Sequence, residues 1–456
     1  MSMFTWEVVD PAPGEPVGPK QRLSWGKTAG LGAQHVVAMF GATFVFPLVM
    51  GLDPNLAIMF SGICTILFLL VCNNKVPSYL GTSASFVASV AAIRGSDPVG
   101  DSADVTGAIM VAGIVLLLVG VLVHFSGSGL IHKILPPAVT GAVVMLIGFN
   151  LAPVVAGIYW PQDQWIALLT AAFMVCAAVI FPGFWSRIAV FLALIFGFLL
   201  SWVFDGIFGS INSVVPALGP AATDHDRVWA WDNVGNADWI GFPSGKLADG
   251  VSVVHAPSFS LTFILLVLPG VIALIAENTG HVKAVAEMTG EDLDPYMGRA
   301  IGADGFATAL ASAFGGSPTT TYAENIGVMG ATKVYSTAAY YVAAAVAILL
   351  GLCPKFGAIV NATPGGVLGG ITVVLYGMIG LVGAKIWVEN RVDFGDPVNM
   401  VGLAGGLIAG IGGVTLKITD DFELGGIALG TIMVIVFFHM VNGRGSSGSG
   451  EVTKAL

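Results

Sequence analysis

The chain has 456 residues, of which 55% are hydrophobic and only 10% charged, and its mean hydropathy is +0.86. Soluble domains carry about 25% charged residues, so a soluble globular core is excluded and a polytopic membrane protein is predicted. The net charge of −10 argues against nucleic acid as a partner, and the four cysteines show no C-x-x-C spacing for a metal or a secreted disulfide framework.

Residues 1–27 are polar, contain several Pro and Gly, and carry no cleavable signal pattern, so they read as an N-terminal tail. A membrane span needs about 20 apolar residues. Fourteen stretches are read as spans: 28–50, 55–73, 76–93, 105–125, 134–156, 164–181, 187–208, 258–282, 298–315, 317–332, 336–353, 364–383, 397–416 and 424–442. The third and tenth are short, rich in Gly, Ser and Thr, and contain Pro77 and Pro318. Between the seventh and eighth lies the acidic loop 209–257 with Trp229, Trp231 and Trp239, which read as interfacial anchors. A Gly/Ser run makes 443–456 a C-terminal tail.

An even number of spans puts both termini on one side. With that side cytoplasmic, 13 of the 18 Lys and Arg residues are cytoplasmic and the loop 209–257 is extracytoplasmic. The two interrupted segments each stand third in a set of seven, and an odd set inserts its second copy upside down. Paired interrupted segments point to a transporter site at an inverted-repeat interface. Their texts, VPSYLGTSASF at 76–86 and SPTTTYAENIG at 317–327, both run from Pro through small polar residues. Each is expected to form a short strand followed by a half-helix, the strands pairing to satisfy backbone that lipid cannot. The half-helix starts then offer N–H groups and a positive dipole end to a ligand.

Two glutamates sit in apolar segments, Glu277 in LPGVIALIAENTGHVKA and Glu324 in GGSPTTTYAENIGVMG. A charge at membrane depth costs roughly 2.5–3.5 kcal/mol or more, so each marks a substrate, ion or proton pathway. Glu277 and His281 are spaced i, i+4 and share one helix face, which suits proton and substrate handling; a structural pair is the alternative. Glu324 follows Thr321, Tyr322 and Ala323 and precedes Asn325. A carboxylate there can accept from a ring N–H while neighbouring backbone N–H groups donate to a ring C=O, the edge of an imide or a nucleobase. Gln34 and His35 in the first span bond to neighbouring helices or support the site. Asp304 is expected to be the structural partner of a nearby polar group.

Glu324-Asn325-Ile326-Gly327 with Thr332-Lys333, together with AENTGH at 276–281, QHVVAMFGAT at 34–43 and PSYLG at 77–81, resemble the nucleobase–ascorbate transporter family, nearest to its bacterial uracil and pyrimidine permeases. The resemblance runs from about residue 20 to 442. It implies an all-α polytopic fold of fourteen spans in two inverted repeats of seven. The core domain would comprise 28–133 and 258–353, and the gate domain 134–208 and 364–442. It also implies a homodimer in the cytoplasmic (inner) membrane, embedded in the lipid bilayer, with elevator-like motion and proton-coupled uptake of uracil. No cofactor beyond the coupling proton is implied. Carried over by motif, Glu277 and Glu324 hold the ring, Tyr322 and Ala323 lend backbone groups, Tyr376 closes the site from the gate side, and His281 serves proton coupling. Where several uracil permeases place Phe after the third-segment Gly-Ser-Ser, this chain has Gly81-Thr82-Ser83-Ala84, with Phe86 two residues on. A purine or xanthine permease of the same family is the alternative. An anion carrier of the same fold and an intramembrane enzyme are more distant ones, the latter lacking a nucleophile–base pair or a metal set.

Overall fold

The computed structural model describes residues 4–12, 15–95, 99–127, 129–215, 218, 221–419 and 422–448. The described chain is mostly helical: α1 Trp25–Met50, α2 Pro54–Val71, strand β1 Leu80–Thr82, α3 Val87–Arg94, α4 Ser102–Ser126, α5 Pro137–Phe149, α6 Gln164–Ile180, α7 Ala189–Phe208, α8 Pro269–Thr289, α9 Met297–Ala313, strand β2 Thr319–Thr321, α10 Ala323–Thr332, α11 Thr337–Gly351, α12 Gly365–Glu389, α13 Pro397–Ile411 and α14 Gly426–Gly448. Helix starts follow local chemistry. Asp53, Asp163 and Asp396 cap α2, α6 and α13 through their carboxylates, and Asp101 with Asp104 closes a capping box on α4. Pro54, Pro137, Pro269 and Pro397 occupy first-turn positions, where the missing N–H costs nothing.

Among the described residues seven helices are long and apolar enough to cross a bilayer, and the bent pair Thr337–Gly351 and Pro354–Asn361, turned by 81°, makes an eighth. The remaining apolar stretches form shorter helices or broken ones. The stretch 134–156 runs on as Pro137–Gln162 through a π-helical turn at Val155–Tyr159, and 258–282 extends to Thr289. Residues 415–416 and 424–425, read as the ends of two spans, instead lie in the hairpin Thr415–Thr419/Phe422–Gly425. Its alternation of apolar and charged residues (Leu416, Lys417, Ile418) suits a strand better than a helix end.

The N-terminal tail is structured: Glu7–Val8 pairs in parallel with Gln21–Arg22, and Val17 bridges to Val334 beyond α10. Trp6 Nε1 donates to Thr337 Oγ1 at 2.8 Å. At the other end α14 continues to Gly448, six residues into the stretch read as a tail, and 449–456 lie outside the described residues. The loop 209–257 carries a hairpin, Ile211–Ser213 with Thr223–His225, and a short helix, Asp232–Asn236. Arg227 fixes it to Asp163 and Asp205 at 2.7 and 2.9 Å, and Asp249 fixes it to Arg94 at 2.6 Å. Of its tryptophans, Trp231 packs edge-on against Trp202 and Phe198, whereas Trp239 is exposed beneath Lys355.

Two helix pairs approach closely enough to exclude side chains. A Cβ on Gly120 would meet the Gly302 nitrogen at 2.2 Å between α4 and α9, and one on Gly148 would meet the Gly380 nitrogen at 2.2 Å between α5 and α12. Such small-residue seams replace the hydrophobic drive that lipid removes.

Candidate functional site

The site is assembled where the two interrupted segments cross. Strands β1 and β2 pair antiparallel in the register Leu80↔Thr321, Gly81↔Thr320 and Thr82↔Thr319. Ser83 N–H to Pro318 C=O and Tyr322 N–H to Tyr79 C=O extend the ladder at 2.9 and 3.0 Å. Three residues per strand are enough because their inward-facing backbone groups pair across the ladder, the outward N–H groups of Leu80 and Thr319 are met by the Thr65 and Thr308 hydroxyls, and both strands are buried in protein. The chain then turns into α3 on one side and α10 on the other.

Tyr322 anchors this crossing from below. Its hydroxyl donates to the Thr82 carbonyl at 2.8 Å and accepts from Thr43 Oγ1 of α1 at 3.1 Å. Its ring lies where a Cβ on Gly81 would stand, 2.4 Å from the nearest ring carbon. Its own C=O accepts from Ile326 N–H. The N–H of Tyr322 is thus taken up by the ladder, while its C=O, with one bond from Ile326, keeps a second lone pair. Of the N–H groups at the start of α10, that of Glu324 is met by its own carboxylate, and that of Ala323 has no acceptor within the helix.

Ala323 is exposed, and Glu277, His281, Glu324 and Ala84 are half-buried, so these groups border an accessible space. Asp304 and Glu324 each lie near enough to Glu277 to act on it electrostatically. Ala84 opens a 3-10 turn capped by Ser83, whereas Phe86 is fully buried and its ring lies 3.0 Å from where a Gly270 Cβ would stand on α8. Phe86 thus belongs to the packing beneath α8 and does not stand in for an aromatic at position 84.

Behind the glutamates runs a buried polar chain. His281 Nδ1 meets Thr321 Oγ1 at 2.7 Å, and Thr321 Oγ1 donates to Asn278 Oδ1 at 3.3 Å. The one hydroxyl proton of Thr321 goes to Asn278, so His281 donates from Nδ1. Asn278 Nδ2 donates to Asp304 Oδ2 at 2.6 Å, and Thr319 Oγ1 approaches Asp304 Oδ1 at 3.5 Å. Asp304 is thereby the structural partner expected of it, and Asn278 is the link that the sequence reading missed; its only signal was its place beside Glu277 in AENTGH.

Asn325 holds α10 to α1. Its Nδ2 donates to the His35 carbonyl at 2.9 Å and to His35 Nδ1 at 3.2 Å, while the His35 ring lies 4.3 Å from that of Tyr340. His35 is fully packed and acts between helices, and Gln34 is half-buried with a buried Oε1 that has no partner among the described residues. On α12, Tyr376 is buried with its ring stacked on Phe46 of α1 at 6.2 Å and 14°. No pattern in the sequence pairs residues so far apart. Among the described residues no cluster of three or more His, Cys, Asp or Glu side chains could hold a metal ion.

Comparison with known proteins places the chain among permeases. A profile described as the Permease family matches residues 26–419. The chain is 42% identical over 425 residues to RutG of Escherichia coli (strain K12), described as a pyrimidine permease, covering 92% of this chain and 90% of that one. It is 33% identical to a uracil permease of the same organism, with 92% of each chain covered, and 32% identical to a uracil permease of Bacillus caldolyticus, with 93% and 94% covered. Among solved structures, the murine anion transporter Slc26a9 superposes with a TM-score of 0.63 at 12% identity, covering 94% of this chain and 70% of that one. The transmembrane domain of the cyanobacterial bicarbonate transporter BicA superposes with a TM-score of 0.55 at 13% identity, covering 94% and 98%; these two likenesses establish the fold alone. The chain is a multi-pass membrane permease, not an enzyme, and it belongs to the nucleobase–ascorbate transporter family.

Proposed function

We propose that this permease carries uracil, or a related pyrimidine nucleobase, into the cell with protons. The observation that carries the reading is the pair of half-buried carboxylates, Glu277 on α8 and Glu324 at the start of α10, beside the Ala323 N–H at the break in the segment. Uracil presents N–H and C=O groups along one edge, so carboxylate acceptors and backbone donors match it in kind. The relatives named as uracil and pyrimidine permeases support the same choice.

In this reading the fourteen segments form two inverted repeats. Segments 1–4 and 8–11, 28–133 and 258–353, make a core that carries the ligand. Segments 5–7 and 12–14, 134–208 and 364–442, make a gate, and Tyr376 closes on the ligand from it. The core moves in an elevator-like way against the gate within a homodimer in the cytoplasmic membrane, both termini inside. Glu277 and His281 handle the coupling proton. A carboxyl travelling through low dielectric crosses at lower cost when neutral, so protonation licenses the transit. Gln34, His35, Asn325 and Thr321 position the two binding helices, and Ala323 lends its N–H.

The second reading is a permease for a bicyclic base such as xanthine. It draws on Ala84, a small half-buried side chain at the site that leaves room for a larger ring. Competition of radiolabelled uracil uptake by a panel of unlabelled bases separates the two. Strong competition by thymine and weak competition by xanthine is expected, and failure of unlabelled uracil to compete overturns the proposal.

A further inference from the structure

The N-terminal segment is bonded to the link that follows α10. Val17 N–H donates to the Lys333 carbonyl at 2.9 Å, and Tyr335 N–H donates back to the Val17 carbonyl at 2.8 Å, a parallel bridge opposite Val334. Two residues on, Thr337 holds the tail twice: its N–H and its Oγ1 both donate to the Pro19 carbonyl, at 3.1 and 2.8 Å. The same hydroxyl oxygen accepts from Trp6 Nε1 at 2.8 Å. Val17 and Thr337 are fully buried, and the rings of Phe4 and Trp6 close on Tyr341 of α11 at 5.5 and 5.6 Å. The pairing of Glu7–Val8 with Gln21–Arg22 folds the tail back on itself and so brings Trp6 to Thr337.

These bonds hold the far end of the half-helix that carries Glu324. α10 has ten residues, about 15 Å of helix, with Gly327 and Gly330 inside it. A helix that short is marginal by itself, and two glycines weaken it further. Its start is fixed by the strand crossing and by the bond from Asn325 to α1. Its end runs into Lys333, whose φ of 55° lies in the left-handed region that side chains other than glycine rarely adopt. Such a residue keeps its conformation where its surroundings determine it. Val17 supplies that restraint, taking up the Lys333 carbonyl and the Tyr335 N–H, one on each side of Val334. With the end released, α10 is free to pivot about the crossing, and Glu324, one residue inside its start, turns with it.

We infer that the N-terminal segment is a positioning strap for the ligand site: Val17 and the Thr337 hydroxyl fix the direction of α10 and, through it, the Glu324 carboxylate. The inference rests on the ligand reading proposed above. It adds residues at the opposite end of α10 that set affinity without touching the ring.

The test uses three variants of the full chain. Val17→Pro removes the N–H that reaches Lys333, Thr337→Val removes the hydroxyl and keeps its volume, and Thr337→Ser keeps the hydroxyl. Each is compared with the parent for uracil affinity by calorimetry in detergent and for amide hydrogen exchange across 323–332, read by mass spectrometry. In Val17→Pro and Thr337→Val the expected result is binding weaker by roughly fivefold, the scale of one lost hydrogen bond. Exchange across 323–332 is expected to quicken in both while that of α4 and α9 stays as in the parent, and Thr337→Ser is expected to match the parent in both readings. Should Val17→Pro not fold, the two Thr337 variants carry the same test. Repeating Thr337→Val in the Glu324→Gln background separates positioning from general loosening. There the strap has no carboxylate left to aim, and the further loss of affinity is expected to vanish. An equal loss in both backgrounds, or unchanged exchange across 323–332, or unchanged affinity in Thr337→Val, overturns the strap and leaves the ligand site standing. Failure of the parent to bind uracil, or unchanged affinity in Glu324→Gln alone, overturns both.

Discussion

Gly81→Ala tests whether the strand crossing sets the site. The added methyl would stand 2.4 Å from a carbon of the Tyr322 ring and 2.5 Å from Thr43 Oγ1, closer than any Cβ can be tolerated. Because Gly81 lies mid-strand opposite Thr320, the strand cannot swing away without breaking the ladder, and the Tyr322 ring must move instead. Overpacking of this kind costs about 1–3 kcal/mol. Moving the ring also strains two hydrogen bonds, to Thr82 and from Thr43, each worth about 0.5–1.5 kcal/mol. The expected destabilisation is therefore about 2–6 kcal/mol, with the start of α10, and Glu324 on it, displaced. Thermal unfolding in detergent, with and without uracil, reads both effects as a lowered midpoint and a reduced ligand-induced shift. The cycle partner is Tyr322→Ala: once the ring is gone, Gly81→Ala has nothing to strike, and its added cost falls toward zero. An unchanged midpoint in Gly81→Ala, or strict additivity in the double mutant, refutes the argument that the tyrosine ring fills the glycine's space.

Glu324→Gln is expected to weaken uracil binding at least about tenfold, from a lost charged hydrogen bond worth roughly 1.5–3 kcal/mol; unchanged calorimetric affinity in folded protein removes Glu324 from the ligand. Ala84→Phe adds an aromatic face worth about 0.5–1.5 kcal/mol, so the ranking of uracil, thymine and xanthine as inhibitors should shift modestly, and a ranking that does not move places position 84 away from the ring. A protonophore should abolish concentrative uptake while exchange of sodium for potassium does not, and His281→Ala should lower transport more than binding; strict sodium dependence in proteoliposomes contradicts the proton assignment. Asp249 is desolvated by the fold, which alone would raise its pKa, yet bonds from Ser102 and Arg94 hold it at about 2, below its ordinary range. A depressed carboxylate stabilises above its unfolded pKa near 4 and loses that contribution as pH falls toward 2. Thermal midpoints of the parent should drop over that window, and those of Asp249→Asn should drop less.

The sequence disclosed what depends on composition and local order, and much less of what depends on long-range packing. Membrane class followed from hydropathy, and the strand pair followed from Pro77 and Pro318 beside small polar residues, which the register Leu80↔Thr321 bears out. The place of Asp304 as a structural partner was also legible, because an acid in an apolar helix must be bonded. The engagement of the Tyr322 N–H was not, since it depends on Tyr79 lying 243 residues away in the chain. Residues 415–416 and 424–425 were absorbed into spans because a hydropathy window averages over the ends of a hairpin. The N-terminal tail looked soluble because its partners, Val334 and Thr337, follow α10 and lie far along the sequence.

The packing of the described residues also explains why so short a pair of strands suffices. A two-stranded ribbon is marginal alone in water. Here Thr65 of α2 accepts from Leu80 N–H at 2.9 Å, Thr308 of α9 accepts from Thr319 N–H at 3.1 Å, and Thr43 of α1 holds Tyr322. Three threonine hydroxyls, one from each of three helices, thus fasten the crossing to the bundle at its edges. A threonine can both accept from a strand N–H and donate to a carbonyl, as Thr308 does to Thr319. Valine would fill the same volume and do neither, leaving a strand N–H unpaired at a cost of about 1–3 kcal/mol. The rigid element that carries Glu324 and Ala84 is therefore the crossing together with its threonine clasp, which fixes the starts of both helices in place.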